Sequence, residues 1–162
     1  MITFTEYCHQ ESLKSSAQGL IAGTILGASV LTSSAHSIIP LPQKFIAGIN
    51  QVEAHGKHNN IPQGDRGSAR GPFQIHKQYW QDAIQYNPEL AKGHIYADVD
   101  NYDYAVQVVT AYLNRYGKKY IQTNDLDALA RIHNAGPNAL DPSRKALTNN
   151  YVKQFERKTI SF

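Results

Sequence analysis

The chain has 162 residues, of which 41% are hydrophobic and ten are tyrosine; that suits one domain with a short appendage and excludes a disordered chain. Its formal charge of +3 comes from basic residues scattered along the sequence, with no basic block to follow a phosphate backbone, so nucleic acid is not an expected partner. The single cysteine, Cys8, excludes an internal disulfide and a cysteine-based metal site.

The first element is compositional. Residues 15–35 carry no charge, and the run that opens at Gly19 and closes at Leu31 reads GLIAGTILGASVL. It has the length of a signal-peptide hydrophobic region, with the small residues Ser33-Ser34-Ala35 behind it, but Glu6 and Glu11 spoil the positive leader. Gly19, Gly23 and Gly27 recur every fourth residue, a spacing that lets helices approach closely in a bilayer, although the run is short for a span. A signal, a membrane-associating helix and a small-residue linker all remain open. The expected organisation is an appendage over 1–38 and a catalytic domain over 39–162, with Pro40 and Pro42 marking the boundary.

Phe45, Ile49 and Val52 then fall on one helical stripe, and Gly56 supplies a stop, which predicts a first helix over 43–55. Residues 59–71 are dense in Gly, Asn, Pro, Asp and Ser and predict turns or a short hairpin, with a lobe extending to about 75. Helical patterns return over 77–85, 101–116, 125–133 and 142–156, with Gly117 and Gly136 as stops. The fold class is mainly α, with a small loop or hairpin lobe beside a cleft.

Glu53 lies four residues after Ile49, beside the apolar stripe and in the last helical turn. Partial burial and the negative helix end both disfavour a carboxylate there, which raises its pKa and suits a general acid. Asp65 follows twelve residues later in the wet Gly64-Asp65-Arg66-Gly67 segment, where it stays ionised. Two carboxyl groups in unlike settings suit glycoside hydrolysis: one protonates the leaving oxygen while the other stabilises, attacks or activates water. Taken singly, Glu53 reads as a solvated surface residue and Asp65 as a turn residue.

Val52-Glu53, Gly64-Asp65, Gly71-Pro72-Phe73-Gln74-Ile75, Tyr79-Trp80 and the run from Leu129 through His133-Asn134-Ala135-Gly136-Pro137 to Asn138 stand in one order along the chain. This order resembles an invertebrate-type lysozyme. The Asn-Ala-Gly-Pro run is equally similar to soluble lytic transglycosylases of the same superfamily. The resemblance implies a muramidase that cuts the β-1,4 bond between N-acetylmuramic acid and N-acetylglucosamine, with Glu53 as acid and Asp65 as second carboxylate. It also implies a substrate-binding set of Ser68, Phe73 with its backbone, Gln74, His133, Asn134 and Tyr151. His133 stands where transglycosylases carry tyrosine, and Thr148-Asn149-Asn150-Tyr151-Val152 resembles their closing helix, in which the tyrosine lies near the acid.

Invertebrate-type proteins are rich in cysteine and the matching segments here have none, which favours a bacterial or phage wall-lytic enzyme over an animal defence enzyme. The expected partner is the peptidoglycan glycan strand, with membrane association through residues 19–31 and an extracytoplasmic or virion location. No metal or cofactor is expected: His55 and His58 have HxxH spacing, but Gly56 interrupts the helix and the HExxH pattern is absent. The rival reading from another class is a noncatalytic wall-binding or virion structural module. The aromatics Tyr79, Trp80, Tyr86, Tyr112 and Tyr116 are assigned mostly to packing.

Overall fold

The computed structural model describes residues 37–159; the apolar run 19–31 with its signal and membrane readings, and Cys8, lie outside the described residues. The chain enters the helical body at Ile39, whose N–H donates to Asn114 Oδ1 and whose carbonyl accepts from Asn114 Nδ2, both at 2.8 Å. Pro42 then fixes the approach to α1 (Gln43–Ala54), whose buried stripe of Phe45, Ile46 and Ile49 faces the core. The predicted stop at Gly56 comes one residue early. His55 itself takes the left-handed position, φ 53°, and its N–H closes on the Asn50 carbonyl.

The lobe after α1 is small. A 3₁₀ turn (Asp65–Gly67) leads into β1 (Ala69–Arg70), which pairs antiparallel with β2 (Ile75–His76) in the register Ala69 to His76 and Arg70 to Ile75. Polar clamps hold it down. The Tyr96 hydroxyl donates to the Ile75 carbonyl at 2.7 Å and faces the Ser68 carbonyl at 3.0 Å. The Asn50 side chain donates to the carbonyls of Lys57 and Pro72 at 2.9 and 3.1 Å. Gly71, at φ 71°, lies against the Val99 carbonyl, leaving no room for a side chain.

The rest is helical: α2 (Lys77–Tyr86), α3 (Tyr102–Gln122), α4 (Leu126–Ala135), α5 (Pro142–Lys145) and α6 (Asn149–Thr159), with further 3₁₀ turns at Pro88–Ala91, Tyr96–Asp100 and Ala146–Thr148. Helix makes up 67% of the described residues, as the mainly α expectation requires. Asn101 and Asp125 cap α3 and α4 through the N–H groups of Tyr104 and Ala128.

Two helix limits differ from the sequence reading. Gly117 does not end α3. Leu129 and Ile132 press on the spot where its side chain would stand, so the glycine is a packing contact at a kink and the helix runs on to Gln122. The single helix expected over 142–156 is three pieces. Buried Arg131 donates through Nη1 to the Lys145 carbonyl, Thr148 Oγ1 and Asn149 Oδ1 at 2.7, 2.6 and 3.0 Å, which ties the entry of α6 to α4.

The seam between α1 and α6 is close. The Phe155 ring edge and Thr159 Oγ1 both lie within 2.7 Å of where a Gly48 Cβ would be, and Phe45 meets Phe155 at a ring-centroid distance of 5.5 Å. This packing carries Tyr151 to the C-terminal end of α1, where Glu53 waits.

Candidate active site

Glu53 is in the last turn of α1, with its side chain only 18% exposed. The Tyr151 hydroxyl donates to Glu53 Oε1 at 2.6 Å, and His133 Nε2 lies 3.8 Å from the same oxygen. The pieces come from three helices, α1, α4 and α6, so the cluster exists only once those helices have packed.

Burial pushes the Glu53 carboxyl up to about 7; Asp65's charge adds to the rise and the Tyr151 hydrogen bond opposes it. Burial also pushes His133 down to about 4, against the pull of the Phe73 carbonyl, so the imidazole stands uncharged beside the acid. A charged imidazolium there would draw the proton off Glu53. Tyr79 backs the ring: its hydroxyl is 3.1 Å from His133 Nδ1, and burial holds that phenol well above its ordinary pKa, so it stays protonated. Tyr151 is likewise kept protonated by burial and by Glu53.

Asp65 belongs to the lobe and to another environment. Its side chain is 71% exposed, and His76 Nε2 lies 3.0 Å from its Oδ2. Asp65 and Arg66 both have left-handed backbones, φ 46° and 56°, a costly pairing for two residues other than glycine. Bonds inside the turn sustain it: Ser68 Oγ donates to the Asp65 carbonyl at 2.7 Å and the Gly67 N–H to the Gly64 carbonyl at 2.8 Å.

The residues expected to bind substrate separate into two groups. His133 and Tyr151 join Glu53, whereas Asn134 is exposed at the end of α4 and Ser68 is exposed in the lobe. The Phe73 ring does not line a cleft; it is fully buried against Tyr102, because an apolar ring beside a tight glycine turn gains more from the core than from solvent, and its carbonyl faces His133. Gln74 also turns inward. Its amide donates to the Gly71 and Pro62 carbonyls at 3.0 and 3.3 Å, and its Oε1 fills the space over Gly64, so it staples the lobe together.

Tyr79 and His76 are the contributors the sequence reading passed over. Tyr79 does pack, stacked on Tyr112 at 3.5 Å between centroids, but a buried phenol also needs a hydrogen-bond partner, and that requirement was the available signal. His76 meets Asp65 across the lobe, a pairing of β2 with the turn before β1 that no spacing in the sequence announces. Among the described residues no group of three or more His, Cys, Asp or Glu is arranged to hold a metal, and His58 stacks on Tyr102 at 3.8 Å. A separate cavity of about 420 Å³, lined by residues such as Tyr120, Asp127 and Lys145, shares no residue with the Glu53 cluster.

No solved structure matches the chain. The Destabilase family matches residues 45–158, which takes in α1 with Glu53, the lobe with Asp65, and the helices that bring His133 and Tyr151 to the acid. The chain therefore belongs to the Destabilase family, the invertebrate-type lysozymes of the lysozyme-like superfamily, and is a hydrolase-type enzyme of that superfamily.

Proposed function

We propose that the protein is a muramidase that hydrolyses the β-1,4 bond between N-acetylmuramic acid and N-acetylglucosamine, with Glu53 as general acid and Asp65 as second carboxylate. The observation that carries the reading is the Glu53 carboxyl itself, pushed up to about 7 by burial and therefore able to hold a proton for the leaving oxygen at neutral pH. Tyr151 and the uncharged His133 orient it without adding a cation. As the glycosidic bond breaks, positive charge grows at the sugar carbon, and the exposed Asp65 carboxylate faces that charge while water completes the hydrolysis. The attacking water bonds to the sugar carbon and gives up a proton to Glu53, which restores the acid.

Mass spectrometry of the fragments released from purified peptidoglycan tests the reaction. Reducing N-acetylmuramic ends are expected. One observation favours a second reading: the 2.6 Å bond from Tyr151 to Glu53 repeats the tyrosine-near-acid feature of lytic transglycosylases, whose products would carry anhydro ends. The family also suggests isopeptide cleavage. That chemistry needs an activated nucleophile, and the Ser68 hydroxyl is engaged with the Asp65 carbonyl.

Such a substrate lies outside the cytoplasm, in the wall of a bacterium, and the proposal extends to the apolar run 19–31 as the segment that directs the domain to or across a membrane, or to a virion in a phage-encoded protein. Fractionation of cells expressing the full chain and a chain starting near Ile38 tests this, with equal cytoplasmic distribution of the two counting against it. A peptidoglycan zymogram separates the enzyme from a noncatalytic wall-binding module, which would leave no clearing.

A further inference from the structure

We propose that His76 is a positioning residue that anchors the Asp65 carboxylate toward the reacting sugar; this rests on the reading of Asp65 as the second carboxylate. The strands place it there. Gly64 bridges to Ala69, and Ala69 pairs with His76, so the three residues line up across the lobe. Asp65 follows Gly64 directly. Adjacent strands lie about 4.8 Å apart, which leaves two strand spacings between His76 and the start of the turn, a gap that an imidazole and a short carboxylate side chain bridge between them. His76 Nε2 reaches Asp65 Oδ2 at 3.0 Å.

The position of the carboxylate is otherwise weakly determined. Asp65 is 71% exposed, and the contacts that hold its turn bind backbone atoms: its own carbonyl accepts from Ser68, and the Gly64 carbonyl from Gly67. Those bonds fix where the residue is, but they leave its side-chain torsions free in water. The close polar contact to one oxygen restricts that freedom and leaves Oδ1 for the substrate. Histidine suits the task because it keeps an N–H on Nε2 both when protonated and as the Nε2–H tautomer. An ion pair this exposed adds little to the stability of the fold, so its effect falls on orientation. Orientation of a charged group toward the transition state appears in kcat more than in KM.

The experiment compares wild type, His76→Ala, His76→Gln and Asp65→Asn on soluble, uncrosslinked glycan strands, with thermal melting of each. Expected are a fall in kcat on the order of tenfold for His76→Ala with KM within about twofold, and a substantial recovery in His76→Gln, whose amide N–H₂ can replace the donor. Melting temperatures should match wild type. Wild-type kcat in His76→Ala, a loss that glutamine does not recover, or a loss that tracks a lowered melting temperature would each overturn the anchor. If Asp65→Asn is inactive while His76→Ala is fully active, the anchor alone falls. If Asp65→Asn keeps its full kcat, the second-carboxylate reading falls and takes the anchor with it.

Discussion

The seam that holds Glu53 and the lobe that holds Asp65 solve opposite problems with the same functional group. In the seam, α1, α4 and α6 exclude water, with Phe45 and Phe155 fully or almost fully buried and Gly48 small enough to let the helices touch. A carboxyl there is kept protonated by lack of solvent. In the lobe, few apolar side chains are buried and backbone carbonyls are clamped by Tyr96, Asn50, Gln74 and Ser68. A carboxyl there stays wet, and its position depends on polar contacts. Packing therefore sets the protonation state of one group, while hydrogen bonding sets the placement of the other.

The largest effect expected from this contrast comes from removing the dry carboxyl's proton. Glu53→Gln should fold normally and lose roughly 10²–10⁴-fold in glycan-cleaving rate, because an amide cannot protonate the leaving oxygen. Ordinary activity in this variant would sink the mechanism. The same substitution tests the pH linkage. Glu53 rises from 4.5 to about 7 on folding, so the folded chain holds a proton that the unfolded chain releases between those values. Its contribution to stability is full below about 4.5 and falls by on the order of 3 kcal/mol as pH rises through about 7. Denaturant melts across that range should show the slope in wild type and not in Glu53→Gln.

Next comes the wet carboxylate. Asp65→Asn should cost about 10²-fold in kcat if the enzyme hydrolyses its substrate, since a preorganised charge facing the sugar is lost. It should leave the melting temperature near wild type, because the side chain is 71% exposed. A transglycosylase uses the substrate's own hydroxyl as nucleophile and would tolerate the change, so retained activity together with anhydro ends would select that reaction.

The two regions also differ in how much of them the sequence reveals. The seam follows from periodicity: Phe45, Ile49 and Glu53 lie on neighbouring positions of one helix, so a half-buried acid was readable from spacing. What crosses between distant elements was less readable. Gly117 looked like a helix stop because glycine usually is one, and only the pressure of Leu129 and Ile132 makes it a contact inside α3. In the lobe the motif Gly71-Pro72-Phe73-Gln74-Ile75 was visible, but the directions of Phe73 and Gln74 were not. A left-handed backbone at Gln74, φ 46°, turns its side chain onto the loop it follows, and no periodic pattern encodes that.

A smaller, structural effect would test whether the lobe can fail alone. Gly71→Ala puts a methyl group onto the Val99 carbonyl at a left-handed position and should destabilise the fold by about 1–3 kcal/mol. Hydrogen exchange should locate the loosening in β1, β2 and the turn before them, with α1 and α6 still protected. Uniform loss of protection would mean that lobe and seam unfold as one unit.

The smallest effect concerns the contact that tunes the dry carboxyl. Tyr151 donates to Glu53 Oε1 at 2.6 Å, and this bond lowers the carboxyl's pKa against the larger rise from burial. Tyr151→Phe keeps the ring in the seam and removes only the donor, so Glu53 should hold its proton to higher pH. The alkaline limb of kcat/KM should then move upward by up to about one pH unit, since a hydrogen bond to a charged group contributes on the order of 1 kcal/mol or more and one unit corresponds to about 1.4 kcal/mol. The rate at the optimum should fall modestly as the carboxyl loses its guide, which separates orientation from acidity in one pH profile. A limb that moves downward would show that water enters the space left by the hydroxyl and solvates the carboxylate. In that case the dryness of the seam, on which the contrast with the lobe depends, would itself be maintained by Tyr151.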